Sequence, residues 1–260
     1  MTAAIEAIHL RKTFGPVVAV DNVDITVASG QTVALLGGNG AGKTTTISML
    51  LGLLLPSAGR ITILGHDLAR TRYAVMARMN FSSPYVELPH RLTVAQNLRV
   101  YADLYGVADA AERVAELAER LDLTQFLDRP SGKLSAGQKT RLALAKSLIN
   151  RPEVLLLDEP TASLDPDTGD WVRGYLEQYR AETGASMLIA SHNMSEVERL
   201  CDHVLMMRAG RIVDQDAPAA LLARYGRQTL EDVFLDIARD RRSAAAPAGT
   251  PDSAGEQAAQ

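Results

Sequence analysis

Gly37, Gly38, Asn39, Gly40, Ala41, Gly42, Lys43 and Thr44 follow the spacing G-x-x-x-x-G-K-T without interruption. Glycines placed this way let successive backbone N–H groups turn inward around phosphate oxygens, because residues without Cβ reach conformations that other side chains forbid. A helix starting at the end of the run adds unpaired N–H donors and a partial positive charge. The pattern predicts a cradle for a nucleoside triphosphate, with Lys43 reaching the β- and γ-phosphates and the Thr44 hydroxyl holding Mg²⁺. Thr45, next on the same helix start, is a further candidate contact. A glycine-rich turn that merely caps a helix is the simpler reading. The apolar run at 31–36 and the helix-forming run at 45–54 favour the cradle, because they supply a strand before the loop and a helix after it.

Two more groups carry chemistry. The apolar run at 154–157 ends in Asp158 and Glu159. An open parallel sheet presents its ligands at such strand ends. Asp158 is placed to hold Mg²⁺ or its water, and Glu159 to take a proton from an attacking water. An isolated acid pair is more often a solvated turn, so this reading leans on the neighbouring cradle. Residues 134–138 read Leu-Ser-Ala-Gly-Gln, in which Ser135 and Gln138 form a capping box. Taken alone this is a helix cap. The same exposed start, with the Ser135 hydroxyl and the N–H of Gly137, is also suited to donate to a γ-phosphate carried by another subunit.

The elements that must position these groups are legible as alternating patterns. Residues 5–12 and 17–27 alternate as antiparallel strands around a turn at 14–16. A turn at 56–59 leads into a strand at 60–64. Residues 93–105, 108–122 and 136–150 are helical in period with hardly a strand signal between them, which reads as a helical insertion spanning about 85–150. From 153 onward a strand at 154–157, a helix at 167–182, a strand at 186–190 and a helix at 194–200 alternate, which predicts a mainly parallel sheet covered on both faces. A helical extension is expected at about 218–242, closing a domain of residues 1–242, and the Ala-, Pro-, Gly- and Ser-rich stretch 243–260 reads as a disordered tail. The 260 residues suffice for a sizeable core. A net charge of -4 without a long basic run speaks against nucleic acid as a partner. One cysteine, Cys201, excludes an internal disulfide and fits a reducing compartment. No signal peptide is evident, and no apolar stretch reaches the roughly 20 residues needed to cross a bilayer. Contact with a membrane is expected only through another chain.

The set in its order and spacing resembles the ATP-binding cassette ATPases. Residues 37–44 resemble their Walker A loop, 154–158 with Glu159 their Walker B strand and catalytic glutamate, and 134–138, including Ser135, Ala136, Gly137 and Gln138, their signature sequence. Ser163, Leu164 and Asp165 are similar to the D-loop, His192 to the switch histidine, and Phe14 to the aromatic that stacks on adenine. The resemblance spans about 5–217. It implies an α/β fold: a P-loop NTPase core with a mainly parallel sheet, an antiparallel β subdomain at the N-terminus and an inserted helical subdomain. It also implies ATP and Mg²⁺ as ligands, hydrolysis of ATP, and face-to-face pairing with a second copy or a related cassette. An integral membrane permease is the implied partner, with a cytoplasmic location on the inner face of the cell membrane. Residues 229–235, Thr-Leu-Glu-Asp-Val-Phe-Leu, look like the ending of cassettes paired with exporter permeases; an amphipathic packing helix with Leu230, Val233, Phe234 and Ile237 on one face reads equally from the pattern.

Two departures stand out. The family places a glutamine after the strand preceding the helical insertion, whereas residues 79–85 read Met-Asn-Phe-Ser-Ser-Pro-Tyr, and ungapped alignment sets Pro84 there, without a side-chain donor or acceptor. Ser82 and Ser83 are the nearest oxygens. Ala136 stands where the signature usually has glycine. Two other readings follow: a cassette ATPase working without a permease, disfavoured because such proteins carry two cassettes or a long coiled coil, and a nucleotide-gated subunit that scarcely hydrolyses.

Overall fold

The computed structural model describes residues 2–83, 86–162 and 164–238. Pro84, Ser163 and the expected tail at 243–260 lie outside the described residues. The chain begins with two long strands, β1 (Ala3–Phe14) and β2 (Val17–Ala28), paired antiparallel, and β1 pairs on its other side with β4 (Ala58–Ile63). With β5 (His66–Asp67) they form a four-stranded antiparallel sheet in the order β2-β1-β4-β5.

The second sheet has six strands in the order β10-β9-β3-β8-β7-β6. Here β3 is Thr32–Leu36, β6 Met79–Ser82, β7 Val154–Asp158 and β8 Ser186–Ser191, all parallel to one another and to β9 (His203–Arg208). Only β10 (Arg211–Asp216) runs antiparallel, through a hairpin whose turn residues Ala209 and Gly210 both have positive φ. Every residue of β3, β7 and β8 is buried, which explains their unbroken apolar sequences.

The two faces of this sheet feed separate cores. Val33, Leu35, Val154, Leu156, Leu188 and Ala190 pack with the antiparallel sheet and with Ile47, Met49 and Leu50 of α1 (Lys43–Leu50). Ala34, Leu36, Leu155, Leu157, Met187 and Ile189 pack with the other helices. These include α4 (Val94–Leu104), α5 (Ala110–Arg120), α6 (Ala136–Ser147), α7 (Pro166–Thr183) and α8 (Met194–Leu200), preceded by two single-turn helices, α2 (Leu68–Thr71) and α3 (Tyr73–Met76). The extension forms α9 (Pro218–Tyr225) and α10 (Leu230–Ala238).

The strand starts are fixed by polar contacts. The Thr32 N–H donates to Asp202 (2.8 Å), the Gly30 N–H donates to the Ser186 hydroxyl (2.9 Å), and Arg180 on α7 binds both the Gly30 carbonyl (2.8 Å) and Asp202 (2.8 Å). Two expectations are corrected in extent. The helix expected at 45–54 starts earlier, at Lys43, and ends at Leu50, where Gly52 takes a positive φ. The helix expected at 136–150 ends at Ser147. The hairpin of β9 and β10 had no counterpart in the sequence reading.

Candidate functional site

The loop at 37–42 leaves the end of β3 and enters α1 with Gly42 as a left-handed N-cap (φ 108). Two of its glycines are required by crowding as well as by any ligand. A Cβ on Gly37 would lie 2.5 Å from the Met207 carbonyl oxygen on β9, and one on Gly42 would lie 2.7 Å from the Ala19 carbonyl oxygen on β2. The loop is therefore clamped between backbones of both sheets. Asn39 and Gly40 are exposed at its tip, and Ala41 is buried beneath.

Lys43 is buried, and its ammonium donates to the carbonyls of Gly37 (2.6 Å) and Gly38 (3.3 Å). It also lies 3.9 Å from Glu159 Oε1. The Thr44 hydroxyl points across the sheet to Asp158, 3.5 Å from its Oδ2, with Thr45 partly buried beside it. Asp158 is the last residue of β7 and is 2 % exposed. Burial pushes its carboxyl above the usual carboxylate range, reinforced by the charge of Glu159 and opposed by Lys43 and the Thr44 hydroxyl.

Glu159 adopts φ 52, a left-handed conformation rare outside glycine and asparagine. Its N–H still donates to the Ala190 carbonyl on β8 (2.8 Å), so the parallel ladder runs one residue past β7 before the chain breaks away at Pro160. The twist turns the carboxylate towards the end of β8, where Glu159 Oε2 lies 2.6 Å from His192 Nδ1 and accepts from the His192 N–H at 3.4 Å. The His192 ring is largely exposed while the carboxylate is buried, so the histidine covers the acid from the solvent side. The turn holding His192 is built locally. The Ser191 hydroxyl donates to buried Glu196 (2.6 Å) and accepts from the Asn193 N–H (3.0 Å), and Asn193 caps α8.

Lys43, Thr44, Asp158, Glu159 and His192 are thus joined by direct contacts, and a cavity of about 390 Å³ opens in front of the loop and both acids. Val17, Val18, Ala19 and Gly210 complete its wall; no motif marks them, because they arrive by packing of β2 and the β9–β10 turn. Phe14 ends β1 half-exposed, with the Lys12 ammonium 5.1 Å from its ring centroid.

Residues 135–138 stand apart from this group. Ser135 and Gln138 make the capping box of α6, the Gln138 N–H donating to Ser135 (3.3 Å) and the Ser135 N–H to Gln138 (3.0 Å). Ser135 and Ala136 are exposed, and among the described residues no hydrogen bond or ion pair joins 135–138 to the phosphate loop. A Cβ on Gly137 would meet the Thr168 hydroxyl at 3.3 Å, so this helix start sits beside that of α7, which exposed Asp165 caps through the Thr168 N–H (3.0 Å). Ser82 and Ser83 line a separate cavity of about 240 Å³ between the sheet and the helical layer. Among the described residues no helix is long and apolar enough to cross a membrane.

Comparison with known proteins agrees with this fold. The sequence pattern of the family described as ABC transporter matches residues 20–162, more than half of the chain. The chain is 37 % identical over 224 residues to the Nod factor export ATP-binding protein I of Cupriavidus metallidurans, covering 85 % of this chain and 74 % of that protein. Among solved structures, an ATP-binding subunit of an ABC transporter superposes with a TM-score of 0.83 at 26 % identity, covering 91 % of this chain and all of the other. A dimeric ATP-binding cassette in a post-hydrolysis state, bound to ADP and Pi, shares the fold with a TM-score of 0.75 at 21 % identity, over 82 % of this chain and 98 % of that one. A phosphate loop facing two strand-end acids and a histidine, on this two-sheet α/β core and with these relatives, places the chain in the ABC transporter family as an ATP-binding, ATP-hydrolysing subunit.

Proposed function

We propose that ATP lies in the 390 Å³ cavity with its phosphates in the loop at 37–42, and that two subunits close face to face over it, each lending residues 135–138 to the other's nucleotide. The observation that carries this reading is the linked set Thr44–Asp158 and Glu159–His192, at 3.5 Å and 2.6 Å, of which Thr44, Asp158 and Glu159 line one cavity. Lys43 exchanges its carbonyl partners for the β- and γ-phosphates. Phe14 stacks on the base, and Asp165 lies at the face where the second copy docks.

Thr44 and Asp158 fit Mg²⁺. They offer one hydroxyl and one carboxylate whose burial without a cation is costly, and no cluster of three or more acidic, histidine or cysteine ligands exists among the described residues. Magnesium commonly takes so few protein ligands and fills its shell with phosphates and water. When bound it supplies charge neutralisation at the phosphates. Glu159 accepts a proton from water as the water oxygen attacks the γ-phosphorus. The bond to the β–γ bridging oxygen breaks, and ADP leaves with those electrons. His192 holds Glu159 in place and donates towards the γ-phosphate from the exposed rim.

Closing an open pair from 1:99 to 99:1 takes about 5.5 kcal/mol, within reach of a few charge-assisted hydrogen bonds at each of two sites. Reopening after hydrolysis would drive a separate integral membrane permease from the inner face of the cell membrane. Export is the favoured direction, supported by the export protein named above and by the exporter-like ending that forms α10.

Glu159→Gln tests the scheme. Turnover is expected to fall by about 10²- to 10⁴-fold, the usual worth of a positioned base, while the ATP-loaded variant elutes as a dimer in gel filtration. A monomeric variant would overturn the paired site. Turnover equal to wild type would favour the scarcely hydrolysing reading.

A further inference from the structure

The helix α10 is held at both ends by residues of elements that flank the nucleotide site. Its first N–H, that of Leu230, donates to Glu198 (2.8 Å) on α8, the helix that follows His192. Near its last turn the carbonyl of Ile237 accepts from the Arg208 guanidinium (2.6 Å) at the end of β9, next to Met207, whose carbonyl crowds Gly37. Leu230 and Val233 are fully buried in the helical core, so the helix is seated firmly rather than draped on the surface. Between these anchors the Phe234 ring reaches the back of the phosphate loop. Its Cζ lies 3.8 Å from where a Cβ of Gly38 would be, and Phe234 with Ile237 roofs a cavity of about 350 Å³ whose floor is residues 38–41.

We infer that Phe234 is a positioning residue for nucleotide binding, acting through Gly38 to set the height of the phosphate loop. The loop is glycine-rich on this side and has no side chain at 37, 38, 40 or 42 with which to brace itself. Gly37 and Gly42 are clamped by β9 and β2, whereas at Gly38 the Phe234 ring of α10 is the one group within 4 Å of where a Cβ would be, across a cavity also lined by Met206 and Ile237. A flexible segment whose N–H groups must converge on phosphate oxygens loses affinity when its backing is removed, because the ordering cost then falls on binding. The anchor at Glu198 gives the same helix a hold on the histidine-bearing end of β8, so the switch region and the cradle share one brace. This inference rests on residues 37–44 holding the phosphates.

The test is titration of purified full-length protein with a fluorescent ATP analogue, together with steady-state kinetics and thermal melting, on Phe234→Ala, Phe234→Leu and Leu117→Ala. Leu117 is buried in α5 of the helical core and has no place in the loop's backing, so L117A reports general destabilisation alone. F234A is expected to weaken binding and raise KM about five- to tenfold with a smaller change in kcat, in the range by which packing neighbours modulate sites they do not touch. F234L restores most of the affinity, and L117A lowers the melting temperature without raising KM. Unchanged affinity in F234A overturns the inference, as does an equal rise in KM in L117A. Failure of the wild-type protein to bind the analogue, or binding insensitive to Lys43→Ala, would instead sink the phosphate-loop assignment on which it rests.

Discussion

At Gly42 two demands meet in one residue. The backbone lies at φ 108, and the space a Cβ would fill holds the Ala19 carbonyl at 2.7 Å and the Met207 methyl at 2.7 Å. The carbonyl belongs to a strand and cannot retreat as a flexible side chain would. Gly42→Ala is therefore expected to lower the melting temperature and to weaken ATP-analogue binding about tenfold or more, as the loop shifts off β2. Thermal melting and titration together check it; wild-type values in both would show that the loop tolerates the move. The glycine spacing and the strand-end acids were legible in the sequence because their chemical roles demand a residue type at a fixed position along the chain, and His192 came through the family resemblance alone. Met207, Ala19 and Gly210 were not, because a backbone carbonyl carries no sequence signature and its position is set by packing between distant strands. Nor did the sequence show the left-handed twist at Glu159, which costs roughly 1–2 kcal/mol and aims the carboxylate at His192.

Among elements, the joint between β6 and the helical layer carries the clearest pH signature. Lys146 on α6 donates to the Phe81 carbonyl (2.9 Å) and the Asn80 side chain (3.3 Å), and its ammonium lies 5.3 Å from the Tyr101 ring centroid on α4. Burial pulls its pKa down from 10.5 to about 8. The folded state thus holds fewer protons than the unfolded chain between pH 8 and 10.5, so this group's contribution rises with pH across that window and its burial penalty is present in full below pH 8. Lys146→Met removes the titration. Wild type minus K146M stability, measured by urea unfolding from pH 7 to 10, is expected to climb; a flat difference would show that the ammonium is not desolvated. The helices around this joint were readable from their period, and the β3, β7 and β8 strands from unbroken apolar runs that only double burial explains. The β9–β10 hairpin escaped notice because β10 alternates between exposed and half-buried residues, Val213 being exposed, and gives no amphipathic contrast. The end of α1 slipped by a few residues because the chain turns at left-handed Gly52, which the hydrophobic pattern does not register.

For the molecule as a whole, the proposed pairing with a second copy rests on the separation between the phosphate loop and the exposed Ser135 end of α6. Ser135→Arg placed in the Glu159→Gln background is expected to abolish the ATP-dependent dimer in gel filtration while each monomer still binds ATP analogue with unchanged affinity. A surviving dimer peak would place the contact elsewhere. The six-stranded sheet that lies between two cores has a consequence of its own. Because the central residues of β3, β7 and β8 are apolar on either side of the sheet, sliding one strand by a single residue would there merely exchange one greasy set for another, and hydrophobicity would not object. Alignment must then be policed at the strand starts, by Asp202 on Thr32, Ser186 on Gly30 and Arg180 on Gly30 and Asp202. At the start of β7, the strand that carries both acids, the Ser186 N–H donates to the Glu153 carbonyl (2.9 Å) and the Arg78 guanidinium pairs with Glu153 (2.6 Å), so the accuracy of the chemistry is set at the end of the strands where none takes place.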